Sequence, residues 1–229
     1  MDVLYEDSSL IVCKKPAGML STPKEGSKEE NLLSLFSAMF AARGKGEVAY
    51  PVHRLDRQTS GVMVFAKTKQ AAAALSAAAA GDGMKKEYLA VTEGIPEKET
   101  EELCDLLFFD RARDKTFVVT RMRRGVHEAT LSYRTLAALP ATGNRPPLAL
   151  LHVQLGTGRT HQIRAQLASR HLPLYGDARY GAKTRGNLGL FAYTLTLTHP
   201  QSGKQMCFEG LLDEALPFSL FKDIELCKF

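Results

Sequence analysis

No two cysteines in this chain stand close enough to read as a metal knuckle. The four, Cys13, Cys104, Cys207 and Cys227, are widely scattered without a C-x-x-C pair. Neither a zinc site nor a disulfide framework is indicated, and reduced thiols in a cytosol are the plainer reading. No apolar run approaches the ~18 residues a membrane-spanning helix needs, and the opening M-D-V-L-Y-E-D lacks the basic start and apolar centre of a secretory signal. These absences predict a cytoplasmic protein that does not cross a membrane. No internal repeat or low-complexity linker interrupts the 229 residues, so a single domain is expected, at a length that also fits two small ones.

What is present is ordinary for a globular chain: 45% apolar and 24% charged residues. Thirty Lys and Arg against 25 Asp and Glu leave a net charge of +5, which permits a polyanionic partner without demanding one.

Residues 3–5 and 10–13 are β-prone runs joined by E-D-S-S and predict a hairpin, ended by Lys14-Lys15-Pro16-Ala17-Gly18. From residue 31 to 42, Leu32, Leu35, Phe36, Met39 and Phe40 recur at helical spacing and predict an amphipathic helix. Residues 62–66, V-M-V-F-A, are short and apolar enough for a strand buried on both faces; an alanine-rich helix over 69–80 follows, stopped by Gly81. Further strands are expected at 88–91, 116–120, 130–136, 148–155, 191–198 and 205–208, with 116–120 and 130–136 read as a pair across the basic link Arg121-Met122-Arg123-Arg124-Gly125. A helix is expected over 160–170. Many strands and few helices argue for an α+β fold on a mixed, mainly antiparallel sheet, with 140–147 and 182–189 as excursions.

Two stretches carry chemistry. In V-H-R-L-D-R-Q-T-S-G-V-M-V-F-A-K, residues 52–67, Asp56 stands between Arg54 and Arg57 in a loop that leads directly into the apolar strand, so at least one of these charges is expected close to the core. In G-T-G-R-T-H-Q, residues 156–162, a strand turns into a helix. The segment lacks the third glycine of a dinucleotide fingerprint and the Gly-Lys of a P-loop. It offers Arg159, His161 and Arg164 around a helix start, a setting that suits an anion, whether a ligand phosphate or a protein carboxylate. Asp56 is the obvious internal carboxylate, since an aspartate in a partly dry site needs a cationic hydrogen-bonding partner; a purely structural salt bridge accounts for the same residues. No second carboxylate stands at a spacing that marks a glycosidase pair.

Four segments in order, L-I-V-C-K-K-P-A-G-M-L-S-T-P, H-R-L-D-R-Q-T-S-G-V-M-V-F-A-K, K-K-E-Y-L-A-V-T-E-G and G-T-G-R-T-H-Q-I-R-A-Q-L-A-S-R-H-L-P-L-Y-G-D-A-R-Y-G, resemble the RluA-type pseudouridine synthases. The resemblance implies a catalytic aspartate at Asp56 in H-R-L-D, an active-site tyrosine at Tyr88 in K-E-Y and an aspartate-pairing arginine at Arg164 in H-Q-I-R. It implies the pseudouridine synthase fold, a largely antiparallel sheet with a central cleft. Many relatives carry a small RNA-binding domain before the catalytic one; here the opening motif begins at once, so residues 1–229 are expected to be a single catalytic domain. The chain departs from its relatives at Gly189-Leu190-Phe191-Ala192-Tyr193, where they show a leucine-histidine-alanine step.

The reaction so implied breaks the bond from ribose to a ring nitrogen of uridine and remakes it to a ring carbon. There is no redox change and no energy input, so no metal or cofactor is expected. Asp56 would attack the ribose, add to the ring or deprotonate the ribose; all three need an ionised carboxylate. Tyr88 offers a ring to stack on the base and a hydroxyl to relay a proton. His53 and Arg54 stand where a residue filling the gap left by a flipped base, or gripping flanking phosphates, belongs. Lys14, Lys15, Arg159 and His161 are further RNA-contact candidates, and Arg121, Arg123 and Arg124 extend a basic track. For each, a solvated surface charge is the competing reading. The expected partner is ribosomal or transfer RNA, the expected state a monomer. A binding protein that uses the same surface without turnover, and a carboxylate hydrolase that releases free base, are the alternatives.

Overall fold

A computed structural model of the chain describes residues 2–26, 28–44, 46–143, 145–212, 215–222 and 224; Cys227 lies outside the described residues. The elements in chain order are β1 (Asp2–Glu6), β2 (Leu10–Lys15), α1 (Leu32–Ala42), β3 (Tyr50–Pro51), β4 (Ser60–Ala66), α2 (Lys69–Ala80), β5 (Met84–Glu93), β6 (Thr100–Asp110), β7 (Lys115–Val119), β8 (Val126–Leu139), β9 (Leu148–Leu155), α3 (Gln162–Ala168), β10 (Leu190–Thr198) and β11 (Gln205–Glu209), with 3-10 turns at Ala178–Tyr180 and Phe218–Phe221. The strand-rich α+β class read from the sequence is the one observed. Among the described residues no helix is long and apolar enough to cross a membrane. The chain forms two compact units, Met1–Lys86 with Ala192–Leu211, and Glu87–Phe191 with Leu212–Phe229.

In the first unit the strands run β1-β2-β4-β10, with β3 on β4 and β11 on β10. β2 and β4 pair antiparallel, Cys13 opposite Met63 and Val12 opposite Val64. Every residue of β4 is buried, because each of its faces has its own cover. Val62, Val64 and Ala66 pack with Leu10 and Val12 of β2 and with Ala71 and Leu75 of α2. Phe65, on the opposite face, meets Phe36 of α1 at 5.2 Å between ring centroids. Both helices start where local chemistry predicts. Asn31 Oδ1 accepts from Ser34 N at the start of α1, and Thr68 Oγ1 accepts from Ala71 N at the start of α2, each satisfying an otherwise unpaired amide of the first turn.

The second unit runs β5-β9-β8-β6-β7. Here the sequence reading needs correction: β7 and β8 do not pair with each other, because β6, read as no strand at all, lies between them and pairs antiparallel with both. T-E-E-L-C-D-L-L-F-F-D hides its alternation by placing an acid on the covered face. Leu103 and Leu107 are buried, and Asp105, on the same side, takes hydrogen bonds from Gln166 Nε2 at 2.8 Å and Arg170 Nη1 at 2.9 Å. The helix expected over 160–170 is shorter, Gln162–Ala168. His161 at φ 54 breaks it at one end, and His171 at φ 60 lies just beyond the other.

Gly61, the second residue of β4, has φ +120, and a Cβ there would lie 2.6 Å from Ala192 N and nearer still to the Ala192 carbonyl oxygen. Backbone cannot swing aside as a side-chain end can. Gly61→Ala is therefore expected to cost at least about 2 kcal/mol, combining overpacking with a disfavoured backbone conformation, and to lower Tm by roughly 4–8 °C. Thermal unfolding followed by circular dichroism tests it; an unchanged Tm would contradict the close approach.

Candidate active site

In the first unit Asp56 occupies the loop between β3 and β4, half-buried beside the buried Leu55. Its carbonyl accepts from Thr59 N at 3.1 Å, closing the turn that delivers the chain into β4. The two flanking arginines differ. Arg57 lies back along the loop, Nε donating to Gly18 O at 3.0 Å and Nη1 3.2 Å from Glu29 Oε2, whereas Arg54 is exposed.

His53 is occupied with structure: its Nε2 accepts from Val64 N of β4 at 3.2 Å. Burial, reinforced by the charge of Lys86, pushes its pKa down to about 3, so the ring stays neutral and supports the loop. Lys15, expected at the surface as an RNA contact, is instead fully buried. Its ammonium donates to Pro16 O, Met19 O and Arg57 O at 2.9, 2.7 and 3.0 Å, which leaves it nothing to offer a phosphate. Lys14 beside it is half-buried.

In the second unit Tyr88 is a buried residue of β5 and Arg164 a buried residue of α3. Arg164 meets Asp177 in a two-pronged pair, Nε to Oδ2 at 2.7 Å and Nη2 to Oδ1 at 2.9 Å. The Arg164 guanidinium also lies 4.9 Å from the Tyr180 ring centroid. The Tyr180 hydroxyl accepts from Thr116 N at 2.8 Å and lies 3.1 Å from His161 Nδ1. His161 thus stands inside an aromatic group with Phe109 and Tyr180 and is largely buried. Arg159 is exposed, with Nε donating to Glu128 O at 3.2 Å.

Asp177 and Tyr180, which hold the Arg164 guanidinium, were not singled out from the sequence, although both stand in Y-G-D-A-R-Y-G. Nothing local marks an aspartate 13 positions beyond an arginine as its partner. The G-T-G-R-T-H-Q turn proves to be closed by its own side chains and by β8. Thr157 Oγ1 donates to Gln162 Oε1 at 2.8 Å, Arg159 N donates to the same oxygen at 3.0 Å, and Gln162 Nε2 reaches Thr130 O at 2.9 Å. The glycines therefore serve a tight turn and hold no phosphate loop.

Residues 9–169 match the family described as RNA pseudouridylate synthase. The chain belongs to that family. Membership places it among isomerases that act on uridine in RNA. It is 33% identical to the dual-specificity RNA pseudouridine synthase RluA of Haemophilus influenzae, over 93% of this chain and 94% of that protein. It is 33% identical to tRNA pseudouridine synthase C of Haemophilus ducreyi, over 93% and 92%. With ribosomal large subunit pseudouridine synthase D of Zymomonas mobilis the identity is 32%, over 97% of this chain and 72% of the relative. Among solved structures, human RNA pseudouridylate synthase domain containing 4 shares the fold, with a TM-score of 0.73 at 23% identity over 93% of this chain and 88% of that one.

Removing one member of a buried ion pair is costly because the other charge keeps its desolvation penalty and loses its main compensation. Asp177→Asn in this family member is expected to destabilise it by about 3 kcal/mol, lowering Tm by roughly 6–12 °C. Equilibrium urea unfolding gives the free energy directly, and a loss below about 1 kcal/mol would make the pair no better than a surface one.

Proposed function

We propose that the protein isomerises particular uridines to pseudouridine in structured RNA, ribosomal or transfer, with Asp56 as the catalytic carboxylate. The observation that carries this reading is the family match across residues 9–169, which takes in H-R-L-D as well as the segments holding Tyr88 and Arg164. The relatives whose names specify the ribosomal large subunit and tRNA support those substrate classes. On this reading the aspartate meets the ribose or the ring while the uracil detaches, turns and is recaptured. Arg164, in H-Q-I-R, supplies a cation for the reaction and Tyr88, in K-E-Y, a flat ring for the base and a hydroxyl. The loop's exposed Arg54 is left to fill the stack or hold flanking phosphate, since His53 is committed to Val64.

Nucleoside mass spectrometry with site mapping tests this on ribosomal and transfer RNA from cells lacking the protein, complemented with wild type, Asp56→Ala or Arg164→Ala. Pseudouridine is expected to vanish at defined sites and to return only with wild type. Persistence of every site in the deletion, together with failure of the purified protein on unmodified transcripts, would replace the synthase with a binding module; free uracil as product would make it a hydrolase.

The RNA-facing charge is concentrated. Residues 110–124 hold Arg111, Arg113, Lys115, Arg121, Arg123 and Arg124 against Asp110 and Asp114, +4 of the chain's net +5. Arg121, Arg123 and Arg124 are exposed, and the Arg123 guanidinium lies 4.9 Å from the Phe108 ring centroid. Each phosphate contact releases condensed counterion, so the double substitution Arg123→Gln/Arg124→Gln is expected to reduce the slope of log K against log salt by about 1.5. Filter binding at several salt concentrations reads this, and an unchanged slope would remove this basic segment from the RNA path.

A further inference from the structure

Asp56 is bracketed by two residues whose backbone is held by one short segment, residues 16–21, together with Lys15 at the end of β2. On one side, Ser21 Oγ donates to Leu55 O at 2.9 Å and accepts from Leu55 N at 3.1 Å, so a single buried hydroxyl saturates both backbone groups of Leu55. On the other side, Arg57 O accepts from Lys15 Nζ at 3.0 Å and from Gly18 N at 2.8 Å. The segment is anchored in turn. Leu32 N donates to Leu20 O at 3.0 Å and Leu33 N to Ser21 O at 3.2 Å, tying it to the first turn of α1.

We propose that Ser21 and Lys15 are positioning residues for Asp56: they fix the backbone immediately before and after it, and so set the direction in which its carboxylate meets the substrate. The inference rests on Asp56 as the catalytic carboxylate. Neither residue touches substrate; both act through the loop.

The chemistry of Lys15 favours this role over simple packing. A fully buried ammonium is a poor choice for filling space, because a methionine of similar length brings no charge to desolvate. Lys15 uses all three of its protons on three backbone carbonyls, a geometry that an apolar side chain cannot supply and that joins two loops distant in sequence. Burial, opposed by the negative charge of Asp56, pulls its pKa down to about 8. The ammonium therefore lies within the electrostatic field of the carboxylate whose loop it holds. Ser21 adds direction: an alanine there would leave both backbone groups of Leu55 without this partner inside the protein, and the loop would be free to shift.

The test measures the single-turnover rate of pseudouridine formation with enzyme in excess, on an unmodified ribosomal or transfer RNA transcript carrying a mapped site. Under these conditions the rate constant reports the folded complex and not the fraction folded. Ser21→Ala is expected to slow it about 10- to 100-fold, the penalty typical of misplacing a reacting group by an ångström or less, with RNA affinity unchanged. Ser21→Thr, which keeps the hydroxyl, is expected to restore most of the rate. Lys15→Met is expected to act in the same direction. Ser9→Ala is the control: Ser9 is equally buried, donates to Gln201 Oε1 at 2.9 Å, and precedes the far end of β2, so its removal should lower Tm without slowing the reaction.

If Ser21→Ala reacts at the wild-type rate while Asp56→Ala is inactive, the positioning role is wrong and the function stands. If Asp56→Ala itself reacts at the wild-type rate, it is the catalytic assignment that fails. Should Lys15→Met not fold, Ser21→Ala decides alone. Equal slowing by Ser9→Ala and Ser21→Ala would reduce the effect to general destabilisation and overturn the proposal.

Discussion

A strand with no face to the solvent imposes its terms on whatever leads into it. β4 is covered on one side by α2 and on the other by the aromatic side chains of α1. The loop that enters it therefore runs close to the core, where backbone amides and carbonyls cannot rely on water. The loop meets that demand with side chains: His53 for the amide of Val64, Ser21 for both groups of Leu55, Lys15 for the carbonyl of Arg57. Asp56 emerges from a backbone fixed before and after it. Its side chain therefore starts from a backbone with few alternative conformations.

The second unit meets a similar problem with charge. α3 is only seven residues long, too short to stand by propensity alone, and it is held by polar contacts on the face it buries. Arg164 pairs with Asp177, and Gln166 and Arg170 both reach Asp105 of β6. Buried ion pairs contribute little net stability beyond what apolar packing would provide, but breaking one is expensive. Their value here is direction, since a planar guanidinium gripped at two points by a carboxylate and stacked near Tyr180 has few orientations open to it.

Several signals in the chain were local and could be read without the structure. The helical spacing of Leu32, Phe36 and Phe40, the glycine after α2 and the uninterrupted apolar run of β4 all act within a few residues of one another, so the elements they specify appear where periodicity places them. β6 escaped because its acids mask the alternation. Asp105 is an inward-facing charge whose partners lie more than 60 residues away, and without them an acid in a strand reads as a loop. Lys15 and His161 escaped for the same reason in reverse: a lysine or histidine beside other cations looks solvated until the carbonyls and rings that surround it are known.

The sequence by itself determined the family, through four motifs in order, and with it the identity of the candidate residues, because chemistry of this kind needs a carboxylate, a ring and a cation at recognisable places in a chain. It also determined the class of fold, since the ratio of strand to helix is written in local pattern. Only the tertiary structure decided what each polar side chain does: that Arg164 holds Asp177, that His53 and Lys15 face inward, and that Ser21 secures the residue before Asp56. Hydrogen bonds and ion pairs between distant segments depend on distances near 3 Å between particular atoms, and those are set by packing the whole unit, which no stretch of sequence records on its own.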